Sequence, residues 1–363
     1  MTAKDSAVED LDSALGDTPL AGVASPPPLL LQGASTAQDF IAPLGLRSPH
    51  TQSILNSSGL RRRAVTGRAE RLLAAEESML MEGGDGVQLL AHLSRQPDGA
   101  RGVAVLLHGW EGSTHSNYML ATGARLFDAG FDVFRLNFRD HGDTHHLNPG
   151  IFHSCRLDEV IHALADMQER LDARGWQIAG YSLGGNFALR VARHGPEQGL
   201  DIRQAFAVCP VIDPANVLKA MESGPTFYET YYIRKWSRSV RAKQQHYPER
   251  YDYEEWFDLP GLRARTEYFA TRYYDFESLG DYLQGYSVGG ERLRKLEVPS
   301  VVLTSRDDPV CPVSDLELLP NNRHLSLQVT RHGGHCGYLK NWKLESWTED
   351  RITESFLQGV GAP

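Results

Sequence analysis

The residues most able to do chemistry in this chain lie at 180–184, which read GYSLG and match the pattern G-x-S-x-G. A short strand-like run at 176–179 precedes them, and an apolar-striped segment follows at 187–192. A serine hydroxyl is a weak nucleophile until a base activates it, and a sharp turn is needed to expose it. This setting of strand, turn and helix predicts that Ser182 is a nucleophile, with glycines where the turn folds back on itself.

The same pattern occurs a second time at 285–289, which read GYSVG. The residues before Ser287 contain no buried-strand run, and those at 291–295 are mainly charged. Context therefore favours Ser182 over Ser287, and a glycine-rich connection is the ordinary explanation of the second copy.

An orienting acid should follow the serine in the chain and precede the histidine. The strand-like run at 300–304 is followed by SRDDPVCP, in which either Asp307 or Asp308 could serve. Asp308 is favoured because the common pattern places the acid four residues before a proline, here Pro312. Asp307 remains the alternative, and turn formation would be the ordinary explanation of both aspartates.

A general base should follow the last strand of the sheet. The run at 325–329 is followed by TRHGGHCG. His335, which has glycines on both sides in a loop, suits the exposed imidazole that the mechanism needs, and His332 is the alternative.

Backbone donors to an oxyanion are expected where an early strand ends. The run at 103–107 is followed by HGWEG. The amide of Trp110 and the amide of Leu183, the residue after the nucleophile, are the predicted donors.

Short apolar runs and helical patterns alternate along the chain. Several runs are continuous, as expected of buried parallel strands. The predicted strands lie at 88–92, 103–107, 132–137, 177–180, 205–208, 300–304 and 325–329. The predicted helices lie at about 118–129, 157–171, 183–194 and 347–357. This alternation predicts a mostly parallel sheet flanked by helices on both faces.

A stretch of about ninety residues interrupts the alternation between 208 and 300. It is rich in aromatic residues and predicts a helical cap insertion at about 213–295, over the sheet edge where ligands bind. The aromatic residues are expected mainly to build the core of the insertion, and a few to line an acyl pocket. The insertion also carries a basic run: Arg234, Lys235, Arg238, Arg241 and Lys243. A solvated helix face is favoured for this run over contact with an anion or a membrane.

Composition excludes several classes of function. The 363 residues are 41% hydrophobic and 23% charged, which suits a soluble globular enzyme. The formal net charge of −9 argues against nucleic acid as a partner. The first ten residues lack the features of a secretory signal, so a cytoplasmic location is expected. Residues 1–40 are poor in aromatic residues and predict a disordered or loosely attached tail before a domain at 41–363.

Metal chemistry is not indicated. The loop at 140–153 holds His141, His145, His146 and His153, but their spacing matches no known ligand set, so a surface loop near the site is preferred. The four cysteines, Cys155, Cys209, Cys311 and Cys336, are dispersed and suggest neither a zinc site nor a disulfide framework. No metal and no cofactor are expected.

Taken together, the chain resembles the YheT-like group of α/β-hydrolases, which is related to the ABHD acyl hydrolases. Four segments carry the likeness: SPHTQS at 48–53, HGWEGSTHS at 108–116, GYSLGGN at 180–186, and DDP at 307–309 together with HGGH at 332–335. The segment NFRDHG at 137–142 departs from the pattern of the group.

The resemblance implies an α/β-hydrolase fold and a serine esterase whose triad is Ser182, Asp308 and His335. The expected reaction is hydrolysis of a carboxylic ester through an acyl-enzyme, on a small-molecule ester or lipid. Two alternatives stay open. One is a lipid-directed acyl hydrolase that contacts membranes peripherally through its cap, and the other is a non-catalytic binding protein with the same fold.

Overall fold

The computed structural model describes residues 40–360, which contain one eight-stranded, mostly parallel sheet. The tail predicted at 1–40 lies outside the described residues, apart from Phe40. The strands are β1 Glu76–Glu82, β2 Gln88–Ser94, β3 Val103–Leu107, β4 Asp132–Leu136, β5 Trp176–Tyr181, β6 Ile202–Val208, β7 Ser300–Ser305 and β8 Leu325–Thr330. Their order is β1-β2-β4-β3-β5-β6-β7-β8, and only β2 runs antiparallel to its neighbours β1 and β4. The predicted α/β-hydrolase architecture is confirmed.

The central strands β3 and β5 are buried along their whole length, which explains why their residues are apolar except for Gln177 in β5. Every residue of β3 and β5 is buried. The parallel register pairs Leu107 with both Leu136 and Gly180, and Tyr181 with Val208. The carboxyl ends of these strands therefore meet at one edge of the sheet, and the loops that follow them are brought together there.

Helices cover both faces of the sheet, and each face has its own apolar core. The helices outside the cap are α1 Pro49–Asn56, α2 Gly59–Arg68, α3 Glu70–Ala74, α4 Asn117–Asp128, α5 Leu157–Arg170, α6 Leu183–His194 and α12 Trp347–Val360. The helices α5 and α6 contribute to one core, and α4 and α12 contribute to the other. Among the described helices, none has both the length and the apolar character needed to cross a membrane.

The stretch predicted as a helical cap holds five α-helices and a short 3-10 helix, Gly290–Leu293, between β6 and β7. The α-helices are α7 Pro214–Ser223, α8 Thr226–His246, α9 Glu254–Asp258, α10 Gly261–Arg272 and α11 Leu279–Gly285. Most of their buried aromatic residues form a third cluster with one another, centred on Trp236, Tyr253, Trp256 and Phe269.

The sequence patterns did not predict two parts of the fold. The strand β1 lies at the edge of the sheet and has only one buried residue, Met81, so it lacks an apolar run. The helices α1 to α3 are short, and α2 is strongly polar with a run of three arginines. Their buried residues face the rest of the domain and do not form a long apolar stripe.

Candidate active site

Ser182 stands at a sharp turn between β5 and α6. Its backbone has φ 55° and ψ −117°, a conformation that a residue with a side chain rarely adopts. The amide of Ser182 donates to the carbonyl of Val208 at 2.8 Å, and the carbonyl of Ser182 accepts from the amide of Asn186 at 3.1 Å. These two bonds tie the strained turn to β6 and to the first turn of α6.

The glycines on either side are required because the turn folds tightly against its neighbours. A Cβ atom at Gly180 would lie 2.0 Å from the carbonyl oxygen of Gly184. A Cβ atom at Gly184 would lie 2.3 Å from the carbonyl oxygen of Leu107. Backbone atoms cannot give way to such contacts, so both positions exclude every side chain.

The three side chains expected to form a triad lie in one hydrogen-bonded row. The His335 Nε2 atom lies 2.9 Å from the Ser182 hydroxyl oxygen. On the other side of the ring, Nδ1 lies 3.1 Å and 3.0 Å from the two carboxyl oxygens of Asp308. The Asp308 side chain is fully buried, and its Oδ1 atom also accepts from the amides of Val310 and Cys311. The carboxylate is therefore held in place by four hydrogen-bonding contacts.

The alternative residues lie elsewhere or form a separate pair. Asp307 contacts His332, with 3.3 Å between Oδ2 and Nδ1, and accepts from the amide of Gly334 at 3.0 Å. The hydroxyl of the second serine, Ser287, is buried and donates to the carbonyl of Ile212 at 3.1 Å. Ser287 thus has a structural role at the end of the cap.

The loop that carries His335 rests on α1. The Ser53 hydroxyl oxygen accepts from the amide of His335 at 2.8 Å. The buried side chain of Gln52 accepts from the amide of Leu339 at 2.6 Å and donates to the carbonyls of Leu46 and Leu339. Gly334 has φ +56°, and a Cβ atom there would lie 2.4 Å from the carbonyl oxygen of Pro49. These close contacts between the loop and α1 therefore constrain the position of His335.

Two buried histidines hold the loop after β3. The His108 Nδ1–H group donates to the carbonyl of Gly109, while Nε2 accepts from the amide of Phe138. His141 donates in the same way to the carbonyl of Arg139 and accepts from the amide of Glu111. Burial lowers the pKa of His108 to about 4 and that of His141 well below its ordinary value. Both rings are therefore neutral, as their hydrogen bonds require.

The loop held in this way presents Trp110 beside the Ser182 turn. Both Trp110 and Leu183, the two predicted oxyanion donors, line a cavity that reaches Ser182. Among the described residues, their amides take part in none of the hydrogen bonds of turns and loops. Both residues therefore remain candidates for the backbone donors to an oxyanion next to Ser182.

Two cavities meet at Ser182, and they differ in size and lining. The narrow cavity, about 110 Å³, runs under the cap between Leu183 and the apolar side chains of α7, including Leu218 and Met221. The wide cavity, about 1030 Å³, is bounded by α1, the start of α2 and one side of α8, and His335 lines it. Only the narrow cavity is lined by Leu183, and only the wide one by His335.

The basic run of α8 is not simply a solvated face, so that expectation is wrong for Lys243. This side chain is 2% exposed, and its Nζ atom lies 2.8 Å from Oδ1 of Asp140. It also donates to the carbonyls of His145 and Asn148. The buried pair joins the cap helix to the loop after β4.

The loop at 140–153 is also more buried than a surface loop. His141 and His145 are both buried, and His145 lies 2.7 Å from the Ser239 hydroxyl of α8. His153 packs against the rings of Tyr274 and Phe276. The histidines of this loop therefore contact different protein groups at separate places and do not converge on a common point.

Three groups of possible metal ligands occur among residues 40–360, and protein partners engage each of them. Two of the groups include His335, whose ring contacts Ser182 and Asp308. The third consists of Glu76, His92 and His115, and there the carboxylate also pairs with the buried guanidinium of Arg135. All four cysteines are free thiols.

Comparison with known proteins gives the family. A family model for alpha/beta hydrolases matches residues 104–343, about two thirds of the chain. The chain belongs to the alpha/beta hydrolase family. The curated relatives include "Putative esterase slr0264" of Synechocystis, 26% identical over 296 residues that cover 75% of this chain and 80% of the relative.

Two further relatives agree with the motifs. "Putative esterase YheT" of Escherichia coli is 23% identical over 88% of this chain and 93% of its own length. The bovine "Phospholipase ABHD3" is 22% identical over 72% of this chain and 64% of its own length. The resemblance to the YheT-like group is thus confirmed. Among solved structures, the Pyrococcus furiosus esterase Pf2001 superposes with a TM-score of 0.51 at 14% identity, covering 79% and 91% of the two chains, which supports the fold alone.

Sequence reasoning missed the residues that position the site in this α/β-hydrolase. Gln52 and Ser53 belong to a segment that was noticed only as a family likeness, although a polar SPHTQS motif in an otherwise unremarkable region was a usable signal. For His108 and His141 the only signal in the sequence was that a glycine follows each histidine. Their structural role depends on burial, which the sequence does not give.

Proposed function

We propose that this protein is a serine ester hydrolase that works through an acyl-enzyme. One observation carries the proposal, namely the row from Ser182 through His335 to Asp308, with 2.9 Å between serine and imidazole. In this row the imidazole accepts the serine proton, and the buried carboxylate holds the ring and stabilises the imidazolium that forms. The relatives described as esterases support the choice of an ester substrate.

In the proposed reaction each of these groups has one role. The Ser182 oxygen attacks the acyl carbon, and the amides of Trp110 and Leu183 stabilise the charge that develops on the carbonyl oxygen. His335 then passes its proton to the oxygen of the leaving alcohol. A water molecule, activated by the same imidazole, releases the acid and restores the serine.

We further propose that each cavity takes one half of the ester. The leaving oxygen must face His335, so the alcohol part extends into the wide cavity that His335 lines. The acyl part then enters the narrow, mainly apolar cavity beside Leu183. Its volume of about 110 Å³ is below the ~150 Å³ of an apolar cavity that holds benzene, which supports a short acyl chain of roughly six carbons or fewer.

A lipid-directed acyl hydrolase is the second candidate. Ile54, Phe227 and Tyr231 line the wide cavity and are each more than 40% exposed, which would suit contact with a lipid surface. The relationship to a protein described as a phospholipase supports the same idea. Co-sedimentation of the parent and of Phe227→Ser with phosphatidylcholine vesicles tests this candidate, because only lipid contact should depend on the exposed ring.

The proposed function is tested by fluorophosphonate labelling and by hydrolysis of p-nitrophenyl esters with two to sixteen acyl carbons. Ser182→Ala should abolish labelling and turnover, whereas Ser287→Ala is the matched control in the second G-x-S-x-G segment and should retain labelling. Short esters should have the highest kcat/KM. If the parent neither labels nor turns over any ester, the proposal is wrong and a binding role is favoured.

A further inference from the structure

A stripe of basic side chains lines the wide cavity. On α8, Lys235 and Arg238 are three residues apart and Arg234 and Arg238 are four, so Arg238 neighbours both of the others on the side of the helix that lines the cavity. Arg62 of α2 also lines this cavity and completes the group. These four residues are called the basic stripe below.

The basic stripe has no acidic partner. No carboxylate lines the wide cavity, and among residues 40–360 none of the four cations forms a salt bridge. Elsewhere on the cap, Arg263 and Arg272 are both paired with glutamates. Unpaired cations gathered at one place are notable in a chain whose formal net charge is −9.

Hydrogen bonds within the protein use only a few of the N–H donors of the basic stripe. Lys235 donates to the carbonyl of Glu111 at 2.6 Å, and Arg62 donates to the carbonyl of His115. The guanidinium groups of Arg234 and Arg238, both exposed, make no hydrogen bond to the described part of the protein. A guanidinium group presents paired N–H donors that match the oxygens of a phosphate or a carboxylate.

One carboxyl group, that of Glu111 in the loop after β3, interacts with the basic stripe through Lys235. Glu111 is close enough to Lys235 for the ammonium to lower its pKa, but burial has the larger effect and raises that pKa to about 8. Near neutral pH this carboxyl group is therefore mostly protonated and opposes the positive potential only weakly.

We propose that the basic stripe binds an anionic group, a phosphate or a carboxylate, carried by the alcohol part of the ester substrate. The inference rests on the proposed function, because the wide cavity receives the alcohol only if His335 protonates the leaving oxygen. The substrate class is thus an ester of a short acyl group with a negatively charged alcohol. The stripe determines specificity, while Ser182 and His335 carry out the reaction.

The test compares butyryl esters that share an acyl group and a three-carbon alcohol. The alcohols are glycerol, glycerol 3-phosphate and glycerate, which separate neutral, phosphate and carboxylate forms, and the choline ester is a cationic reference. For the parent, kcat/KM should be at least about tenfold higher for one of the anionic esters than for the glycerol ester. In Arg234→Gln/Arg238→Gln this ratio should fall towards one, and in the matched control Arg241→Gln, on the same helix, it should stay as in the parent.

Charge reversal gives a second variant. Arg234→Glu/Arg238→Glu should prefer the choline ester to both anionic esters. A parent that hydrolyses the glycerol ester through Ser182 without any preference for an anionic ester would overturn the inference and leave the proposed function standing. A preference that is as strong in the double Gln variant as in the parent would also overturn it. If the parent hydrolyses none of these esters and fails to label with a fluorophosphonate, both proposals are overturned.

The position of the charge is tested separately. Monoethyl succinate carries its carboxylate on the acyl side, and ethyl butyrate is its neutral counterpart. The parent should not prefer the succinate ester, because the narrow cavity beside Leu183 is lined by no lysine or arginine, and burial lowers the pKa of its one histidine, His153, to about 3. A preference for the succinate ester that depends on Arg234 and Arg238 would overturn the orientation on which the inference rests.

Discussion

The side chain of Gln52 binds both backbone polar groups of Leu339, a residue 287 positions later in the chain. The amide oxygen accepts from the Leu339 N–H group at 2.6 Å, and the amide nitrogen donates to the Leu339 carbonyl at 3.3 Å. One residue along, Ser53 accepts from the amide of His335. The helix α1 thus supports the loop that carries the proposed general base.

Replacing Gln52 should therefore weaken both stability and activity. Gln52→Leu would leave the buried N–H and C=O groups of Leu339 without partners, and we expect a loss of about 2–4 kcal/mol in the free energy of unfolding. Because Gln52 positions the imidazole and does not contact substrate, kcat should fall more than KM rises. Urea denaturation and ester kinetics measure the two effects, with Thr51→Ala on the same helix as the control. A stable Gln52→Leu protein with parental kcat would contradict this role.

The adjacent aspartates should differ sharply in their effect on catalysis. Asp308→Asn would keep the shape of the site but favour the wrong tautomer of His335, and we expect kcat to fall by about 10⁴-fold. Asp307→Asn should change kcat by less than about tenfold, because Asp307 contacts His332 and the amide of Gly334 instead. Steady-state kinetics on p-nitrophenyl butyrate measures both. Equal losses in the two variants would show that the acid has been assigned wrongly.

The buried pair of Asp140 and Lys243 should be sensitive to removal of one partner. Lys243→Met would leave the Asp140 carboxylate buried without its cation, and we expect the free energy of unfolding to fall by about 3–5 kcal/mol. The double substitution Asp140→Asn/Lys243→Met should recover part of this loss, because no charge then remains buried. Denaturant titrations of both variants, with Arg241→Met as the control on α8, test the coupling. A double variant no more stable than Lys243→Met would contradict it.

The buried histidines predict acid sensitivity. Burial lowers the pKa of His108 and His145 to about 4 and that of His153 to about 3. Below about pH 6.5 the unfolded chain protonates these rings while the folded protein keeps them neutral. The stability that they contribute is therefore present at neutral pH and lost as the pH falls towards 4, by about 1.4 kcal/mol per pH unit for each ring.

This dependence is measured by denaturant unfolding between about pH 7.5 and pH 5. His153 offers a variant, since its Nδ1 atom is buried without a hydrogen-bond partner and its ring packs on aromatic neighbours. His153→Phe should reduce the slope of the unfolding free energy against pH by the contribution of one ring, about 1.4 kcal/mol per pH unit. Unfolding free energies that do not change over this range, in parent and variant alike, would show that the folded protein protonates these rings normally.

The sequence by itself determined the local features whose physical requirements are short-range. The elbow at Ser182 was predictable because Gly180 and Gly184 are needed wherever a strand turns so sharply into a helix. The central strands were predictable because burial on both faces favours apolar residues, which fill β3 and make up β5 apart from Gln177. The order of serine, aspartate and histidine along the chain indicated which loops should meet at the edge of the sheet.

Other features were decided only by the tertiary structure. Asp307 and Asp308 are neighbours, and which of them reaches His335 depends on the path of the loop after β7. The sequence also could not tell apart the members of the basic run of α8. Lys243 is buried against Asp140, while Arg234 and Arg238 line the wide cavity. Helical spacing tells which side chains share a face, but what that face meets depends on contacts between segments far apart in the chain. The hydrogen bonds between Gln52 and Leu339 likewise depend on the packing of distant segments, which no local sequence pattern predicts.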